Sequence, residues 1–228
     1  MTGTAADVNG APPLWGVARY HGAGGPTTWE ISHDEIHRDL GSAPRALAAL
    51  GVGTGGRVLH ISLLSEAGHF FPLVIGTMLV GAQVSCADAT TGDATRIAMF
   101  LRLLDYDAAL GVNAAILDGL DELGITYVDA FARVRVVGAR PDAIARLAAA
   151  GLEPHAFVLC GPAVAIAPSP GAPAVVADRA EWELGVRNDH ITVTNLRPRA
   201  TEFHATVTAV RGTVVDGGVV LEPQGSEP

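Results

Sequence analysis

The stretch from Ala46 to Asp88 constrains the fold more than any other part of the sequence, because it reads as a complete unit of strand, helix and strand. Residues 58–64 are largely apolar and β-branched, which is typical of a strand covered on both faces. Residues 66–80 are apolar on all sides, as in a buried helix, and residues 82–87 return to a strand pattern. Strands joined by a crossover helix run parallel, so the stretch predicts an α/β fold.

Four glycines separate this unit from the helix before it. Gly51 is placed to cap that helix in the left-handed conformation, and Gly53, Gly55 and Gly56 supply the turn that follows. A phosphate-binding loop follows a strand and leads into a helix, whereas this turn precedes a strand. We therefore interpret the glycines as scaffold.

The remainder of the first segment is also α/β. Ser32 and Glu35 form a capping-box pattern at the start of a helix that ends near Leu50. A further helix is predicted at 93–104 and a strand at 108–112. These elements define an N-terminal lobe, residues 27–117, with a mostly parallel sheet and flanking helices.

The second segment begins α/β and ends in antiparallel strands. A strand at 134–137, a helix at 141–150 and a strand at 157–159 are followed, from residue 174 onward, by short alternating strands. The turn sequences between those strands, Asn188-Asp189 and Asp216-Gly217-Gly218, are typical of hairpins.

These patterns predict two lobes and two irregular ends. We expect a smaller second lobe at 126–222, joined to the first by a connector at 118–125. Residues 1–26 are rich in Gly, Ala and Pro and are expected to be flexible, with order beginning near Thr27. The tail at 223–228 is expected to be disordered.

Composition excludes several classes of function. The net charge of −9 and a pI near 5.2 argue against nucleic acid and give no cationic face for a membrane. The run from Phe70 to Val84 is too short and too Gly-interrupted to span a bilayer, and no basic region precedes an apolar segment at the N-terminus. Two cysteines fit a reducing compartment, so we expect a cytoplasmic protein without a signal peptide.

The order of these elements resembles a known family. Thr28–Ser32, then Ala46–Val58 with its glycines, then Val80–Ala82, are similar to the N-terminal subdomain of the adenylate-forming enzymes, which include acyl-CoA synthetases and aryl-CoA ligases. Val193–Thr201 is similar to the β region of phenylacetate-CoA ligases. The first match covers about residues 27–117 and the second about 133–215.

The resemblance also implies parts that this sequence lacks. The family converts a carboxylate and ATP to an acyl-adenylate, using a Ser/Thr/Gly-rich loop that ends in Lys to hold the triphosphate. The corresponding segment here, 118–129, has no such loop, and all 15 basic residues are arginines. The family's glutamate-bearing aromatic motif is replaced by Cys160–Val164, and its ribose-binding Thr-Gly-Asp by Thr208-Ala209-Val210. The domain with the family's catalytic lysine is not in this sequence, so we expect a truncated, degenerate member that does not adenylate and has no cofactor.

Candidate pocket residues follow the ends of two predicted strands. Ser65, Glu66 and His69 come after the first buried strand, and Cys160 and Gly161 end a later one. In open α/β sheets the ligand crevice lies at these carboxyl ends. Each residue also has a structural interpretation, since Ser65 is suited to a helix start and Cys160 to a buried thiol.

Two further groups carry suitable chemistry. Arg197, Arg199 and Arg211 lie in the region where the family holds its nucleotide, and guanidinium groups pair with carboxylate or phosphate. Solvated surface charge is the alternative. His33 and His37 have helical metal-ligand spacing but no evident third ligand, so no metal is expected.

We expect one of two functions. A preserved scaffold without its ATP-binding parts indicates a protein that binds an acyl or aryl group, or a partner subunit in a biosynthetic assembly. The alternative is an enzyme of changed chemistry that uses Cys160 or His69 in the inherited cleft.

Overall fold

The computed structural model describes residues 12–222, which form thirteen strands and six α-helices. The strands are β1 Leu14–Gly22, β2 Gly25–Ser32, β3 Arg57–Ser62, β4 Gln83–Asp88, β5 Tyr106–Val112, β6 Val134–Ala139, β7 His155–Cys160, β8 Ala163–Ile166, β9 Ala174–Val176, β10 Trp182–Arg187, β11 His190–Asn195, β12 Thr206–Val215 and β13 Gly218–Leu221. The helices are α1 His33–Ala49, α2 Ala67–Leu79, α3 Ala94–Leu103, α4 Ala114–Glu122, α5 Tyr127–Phe131 and α6 Pro141–Ala149.

All strands belong to one hydrogen-bonded sheet with a parallel and an antiparallel part. Its order is β4-β3-β5-β6-β7-β8-β9-β13-β12-β11-β10, with β1 joined to β12 and to β2. Neighbours from β4 to β7 are parallel, and neighbours from β7 to β10 are antiparallel. The predicted α/β fold class, with parallel strands first and antiparallel strands last, is confirmed.

The unit that begins with the Gly51 turn forms as predicted. Ser32 and Glu35 make both hydrogen bonds of a capping box at the start of α1, and Gly51 has a φ of 72° just beyond its end. Strands β3 and β4 pair in parallel along six residues each, connected by the buried helix α2. Pro72 lies inside α2 rather than in its first turn.

The N-terminal hairpin corrects the prediction that order begins near Thr27. Strand β1 pairs with β2 along its length, and its inward residues Ala18 and Tyr20 are buried. Helix α2 approaches this hairpin closely, since a Cβ on Gly68 would lie 2.8 Å from the Ala18 Cβ. Packing against another element therefore orders a Gly-rich segment that looks flexible by composition. Residues 1–11 and 223–228, for which we predict flexibility and disorder, lie outside the described residues.

The second segment contains the predicted hairpins with some shifted bounds. Asn188 and Asp189 have φ values of 51° and 62°, as a two-residue hairpin turn requires. Strand β12 is continuous from Thr206 to Val215, longer than the short strands predicted after residue 174, and β8 is a strand absent from the prediction. The predicted connector at 118–125 is helical as far as Glu122.

Strand β6 pairs in parallel with β5, so hydrogen bonding continues across the predicted boundary between the two lobes. The lobes 27–117 and 126–222 stay a prediction. What matters for function is the seam in the sheet at β7. There the parallel strands, with their carboxyl ends, meet the antiparallel strands and the N-terminal hairpin.

Candidate functional site: an arginine-lined cleft

A cleft of about 580 Å³ lies at this seam. We call it the arginine cleft. One part of its lining is apolar, formed by Tyr20, Phe157, Leu159, Val210 and Leu221. Its charged side chains are Arg19, Arg140, Arg211, Glu66 and Glu222, with His21 beside them. The volume is in the range of small-molecule sites, about 300–1,000 Å³.

Arg140 connects the cleft to the parallel sheet, because it directly follows β6 and precedes Pro141, the first residue of α6. Its guanidinium binds Glu66 in a bidentate ion pair, with Nη1–Oε1 at 2.6 Å and Nη2–Oε2 at 2.7 Å. It also lies 5.5 Å from the centroid of the Phe70 ring. These contacts fix Arg140 at the carboxyl edge of the sheet, where α/β proteins bind ligands.

Glu66 stays ionised at neutral pH. Burial alone raises the pKa of its carboxyl, but the hydrogen bonds and charge of Arg140, with the amide of Leu63, outweigh burial and hold the pKa below its usual value. Since Glu66 neutralises Arg140, this pair contributes no net charge to the cleft. The Nε atom of Arg140 is buried and has no hydrogen-bond partner among residues 12–222.

Arg19 and Arg211 supply the unneutralised positive charge. Arg19 lies on β1 and Arg211 on β12, and both line the cleft. Neither side chain makes a hydrogen bond or ion pair with another residue in the described part of the chain. The cleft therefore presents two available guanidinium groups beside an apolar surface.

Of the pocket candidates named from the sequence, Glu66 and Arg211 line the arginine cleft, and the others lie outside its lining. His69 is buried in α2, where its Nε2 donates to the Gly161 carbonyl at 2.7 Å and its ring meets Trp29 edge to face. Burial lowers the pKa of His69 to about 4, so the imidazole is neutral at pH 7. His69 borders a separate cavity of only about 40 Å³, with room for a few water molecules at most.

Gly161 holds a left-handed turn with a φ of 59°, and its carbonyl is occupied by His69. Ser65 is half-buried in a 3₁₀ turn and lines neither cavity. The structure therefore brings His69 and Gly161 together as a packing contact between α2 and the end of β7. It leaves Ser65 apart from them.

Cys160 is sealed in the hydrophobic core, with no exposed surface. Burial raises the pKa of its thiol to about 12, so the reactive thiolate is absent at neutral pH. The Nδ1 of His155, at the other end of β7, donates a hydrogen bond to the Ala167 carbonyl at 2.9 Å and is not paired with the thiol. The structure supports the buried-thiol interpretation of Cys160 and removes the observation on which a nucleophilic role depends.

The other two candidate arginines have structural surroundings. Arg197 is exposed, 3.6 Å from Glu181. Arg199 is buried and bonded to three carboxylates, with Nη2–Asp39 Oδ1 at 2.6 Å, Nη2–Glu181 Oε2 at 2.9 Å and Nη1–Glu35 Oε2 at 3.5 Å. Its guanidinium also covers the Trp182 ring at 4.1 Å. Arg199 joins α1 to the antiparallel strands and has no free face for a ligand.

The segments that correspond to the family's ATP-binding parts have other structures here. Thr208 is fully buried and its hydroxyl donates to the Ile191 carbonyl at 2.9 Å. Residues 114–131 form α4, a turn and α5.

No cluster of three or more His, Cys, Asp or Glu side chains suited to a metal occurs between residues 12 and 222. Across the same residues, no helix has the length and apolarity that a membrane crossing requires.

Sequence reasoning missed Arg19 and Arg140. Arg140 carried a usable signal, because a charged residue directly after a buried strand and before a helix-starting proline lies at the carboxyl edge of the sheet. Arg19 carried none, since its segment was assigned no structure.

Comparison with solved structures identifies the fold. No protein-family model matches the sequence, and no curated protein matches it either. A 2-hydroxyisobutyryl-CoA ligase bound to 2-HIB-AMP and CoA superposes with a TM-score of 0.64 at 12% identity, over 86% of this chain and 51% of that one. The N-terminal subdomain of Klebsiella oxytoca NpsA, bound to 3-hydroxyanthranilyl-AMSN, gives 0.63 at 16% identity, over 97% and 65%.

E. coli MenE bound to OSB-AMS gives a TM-score of 0.52 at 12% identity, over 97% of this chain and 50% of that chain. This chain thus spans about half to two thirds of the length of these structures. Identities of this size establish a common fold and leave activity open. The described chain has the fold of the N-terminal region of adenylate-forming ligases.

Proposed function

We propose that this protein binds an acyl or aryl group that carries a negative charge, and that it does so without adenylating that group. The observation that carries the proposal is the arginine cleft, where an apolar wall and two unpaired guanidinium groups share one cavity of about 580 Å³. The fold adds support, because a 2-hydroxyisobutyryl-CoA ligase of this fold is bound to 2-HIB-AMP and the NpsA subdomain to 3-hydroxyanthranilyl-AMSN in their own structures.

The two parts of the cleft suit the two parts of such a ligand. Leu159, Val210 and Leu221 are only partly buried, so their apolar surface gains free energy when a ligand covers it. A guanidinium forms paired hydrogen bonds with a carboxylate, which fixes the ligand's orientation. Together they favour an organic anion over either a neutral hydrocarbon or an inorganic ion alone.

The lining favours binding over covalent catalysis. No cysteine, serine, threonine or lysine is among the described residues that line the arginine cleft, and the Glu66 carboxylate is held by Arg140. The predicted nucleophile Cys160 lies in the core, and His69 borders a cavity too small for an acyl group. A role as a partner subunit in a biosynthetic assembly stays a prediction.

The absence of adenylation rests on three observations in these 228 residues. They contain no lysine to offset a triphosphate. The Thr208 hydroxyl is committed to the backbone, and Val210 stands where the resemblance places a ribose-binding carboxylate. Residues 114–131 are mostly helical, so their backbone amides are used within helices and cannot surround phosphates.

Two assays on the purified chain test the proposal. In isothermal titration, aromatic and aliphatic carboxylates are expected to bind without ATP. In a pyrophosphate-exchange assay with ATP and Mg²⁺, the same carboxylates are expected to give no exchange above background. Exchange that depends on a carboxylate would overturn the non-adenylating part, and no binding by any carboxylate would overturn the binding part.

A pair of valines on β12 supplies a matched control. Val210 lines the cleft, whereas Val215 is exposed on the same strand and lies outside it. Val210→Glu places a carboxylate against the ligand's apolar group and is expected to weaken carboxylate binding at least tenfold. Val215→Glu changes the net charge equally and is expected to leave binding unchanged.

A further inference from the structure

We propose that Arg19 and Arg211 together bind one doubly charged phosphoryl group, so that the ligand of the arginine cleft is an acyl or aryl compound bearing a phosphate monoester. This inference rests on the proposed function for the rest of the ligand, since the apolar part occupies the same cleft. It adds the chemical class of the charged group.

The two arginines lie at the same level of two antiparallel strands. Strands β1 and β12 are antiparallel and pair at Gly22 and Thr208. Arg19 and Arg211 each lie three residues from that pair, in the directions that keep antiparallel partners level. The strands do not pair at this level, and the cleft that both residues line opens between them. Two like charges thus line one cavity at the same level of the two strands.

The charged side chains of the cleft do not cancel one another. Arg140 is neutralised by Glu66, whose two oxygens lie within 2.7 Å of it, so the pair adds nothing to the net charge of the cleft. Glu222 is the other carboxylate of the cleft and lies beside Arg211, because β12 and β13 pair at Gly212 and Leu221. No ion pair within 4.0 Å joins Glu222 to Arg19 or Arg211 among the described residues. A net positive charge therefore remains at the cleft of a protein whose net charge is −9.

Two neighbouring guanidinium groups suit an anion with more than one charge and more than two oxygens. Like charges on neighbouring strands repel, and a bound anion between them removes that cost. A carboxylate has two oxygens and one charge, and one guanidinium fork already satisfies both oxygens. A phosphoryl group has three terminal oxygens and nearly two charges at pH 7, so it can accept from both guanidinium groups at once. The pair is suited to a phosphate monoester.

Three probes separate this inference from the proposed function. Phenyl phosphate has an aryl group and a dianion, benzoate has the same ring with a monoanion, and inorganic phosphate has the dianion alone. Isothermal titration at pH 7.5 and fixed ionic strength gives the three affinities. Phenyl phosphate is expected to bind at least tenfold more tightly than benzoate and than inorganic phosphate.

Three arginine variants locate the phosphoryl group. Arg19→Gln and Arg211→Gln are each expected to weaken phenyl phosphate binding about tenfold to hundredfold, because each removes charge-assisted hydrogen bonds. The control is Arg102→Gln on α3, an exposed arginine whose side chain likewise makes no hydrogen bond with residues 12–222. It is expected to leave the affinity unchanged. Glu222→Gln, which removes the opposing charge beside Arg211, is expected to tighten phenyl phosphate binding.

The outcomes are distinguishable. Benzoate affinity equal to that of phenyl phosphate would overturn the phosphoryl assignment and leave the carboxylate-binding proposal intact. Unchanged affinity for phenyl phosphate in both Arg19→Gln and Arg211→Gln, with thermal stability preserved, would also overturn it. Binding of inorganic phosphate that depends on both arginines, together with no gain from the phenyl ring, would support the phosphoryl site and contradict the acyl or aryl proposal.

Discussion

Two groups of arginines in this protein illustrate opposite uses of the same side chain. Arg199 is buried between α1 and the antiparallel strands, where three carboxylates and the Trp182 ring surround it. Arg19 and Arg211 line a cleft and have no bonded partner within residues 12–222. The two groups differ in pairing, since the Nη atoms of Arg199 are held by carboxylates and those of Arg19 and Arg211 remain available to a ligand.

The comparison explains why position in the sequence misleads here. Arg199 and Arg211 lie in the same resembling segment and are both candidates for a ligand clamp. Only the structure shows that Glu35 and Asp39, far away in the chain on α1, form ion pairs with Arg199. Four predictions test the contrast between the ion pairs of Arg199 and the arginine cleft.

The largest effect is expected at Arg199. Arg199→Ala leaves the buried carboxylate of Glu35 without its cation and leaves Glu181 with Arg38 as its close partner, and the loss of a buried ion-pair partner costs about 3–5 kcal/mol of unfolding free energy. Urea denaturation followed by circular dichroism measures it. Arg211→Ala is the matched control, with an expected change below about 0.5 kcal/mol. Equal effects of the two substitutions would contradict the contrast.

Acid is expected to destabilise the protein because burial keeps two histidines neutral in the folded state. In this they differ from the buried Arg199, which is charged. The pKa of His60 is lowered to about 3 and that of His69 to about 4. Because the unfolded chain takes up these protons first, near pH 6.5, stability is complete above that pH and falls as pH decreases toward the folded values. Between pH 6.5 and 5 the loss is about 1.5 kcal/mol for each histidine.

His69→Gln isolates one of the two contributions. A glutamine amide can keep the hydrogen bond to the Gly161 carbonyl but does not titrate. Urea titrations at several pH values are expected to show about half the acid sensitivity of the native chain. An unchanged pH slope would mean that groups other than His69 control it.

A smaller effect is expected where the N-terminal hairpin packs. In Gly68→Ala the added Cβ would lie within about 2.8 Å of Ala18 and Trp29, so β1 must shift, at a cost of about 1–3 kcal/mol. Since β1 carries Arg19, phenyl phosphate binding is expected to weaken as well. Gly24→Ala, at an exposed site with nothing within 4 Å, is the control for both measurements. Normal binding by Gly68→Ala would show that the cleft does not depend on this packing.

The smallest effect is expected on stability when the cleft arginines are changed together. Arg19→Gln with Arg211→Gln removes two unpaired charges that repel each other, so unfolding free energy is expected to change by less than about 0.5 kcal/mol, with any gain reduced by salt. Thermal denaturation at low and high ionic strength measures this. A loss of more than about 1 kcal/mol of unfolding free energy would indicate that the two arginines have a structural role.

The sequence predicts the local units well and the long-range ones poorly. Helix α1 with its Ser32 cap, the Gly51 turn and the β3-α2-β4 unit all follow from periodicity and capping chemistry. Strand β1 does not, because its order depends on β2 and α2 rather than on its own Gly-rich composition. Strand β8 likewise depends on β7 and β9, which lie on either side of it.

The site was less predictable than the fold for the same reason. The carboxyl-edge rule correctly draws attention to the region around His69 and Cys160, but burial decides that neither lines the cleft. Arg19 and Arg211 line the same cleft only because β1 pairs with β12, a pairing of distant strands that no local pattern encodes. Their lack of partners becomes visible only in three dimensions.

The most direct test of the central claim is a titration of the purified chain with an aromatic carboxylate, in the absence and presence of ATP and Mg²⁺, with pyrophosphate exchange followed in the same samples. The account predicts saturable binding with the same affinity in both conditions, weakened at least tenfold by Val210→Glu, and no exchange. Carboxylate-dependent exchange, or binding that Val210→Glu leaves unchanged, would contradict it.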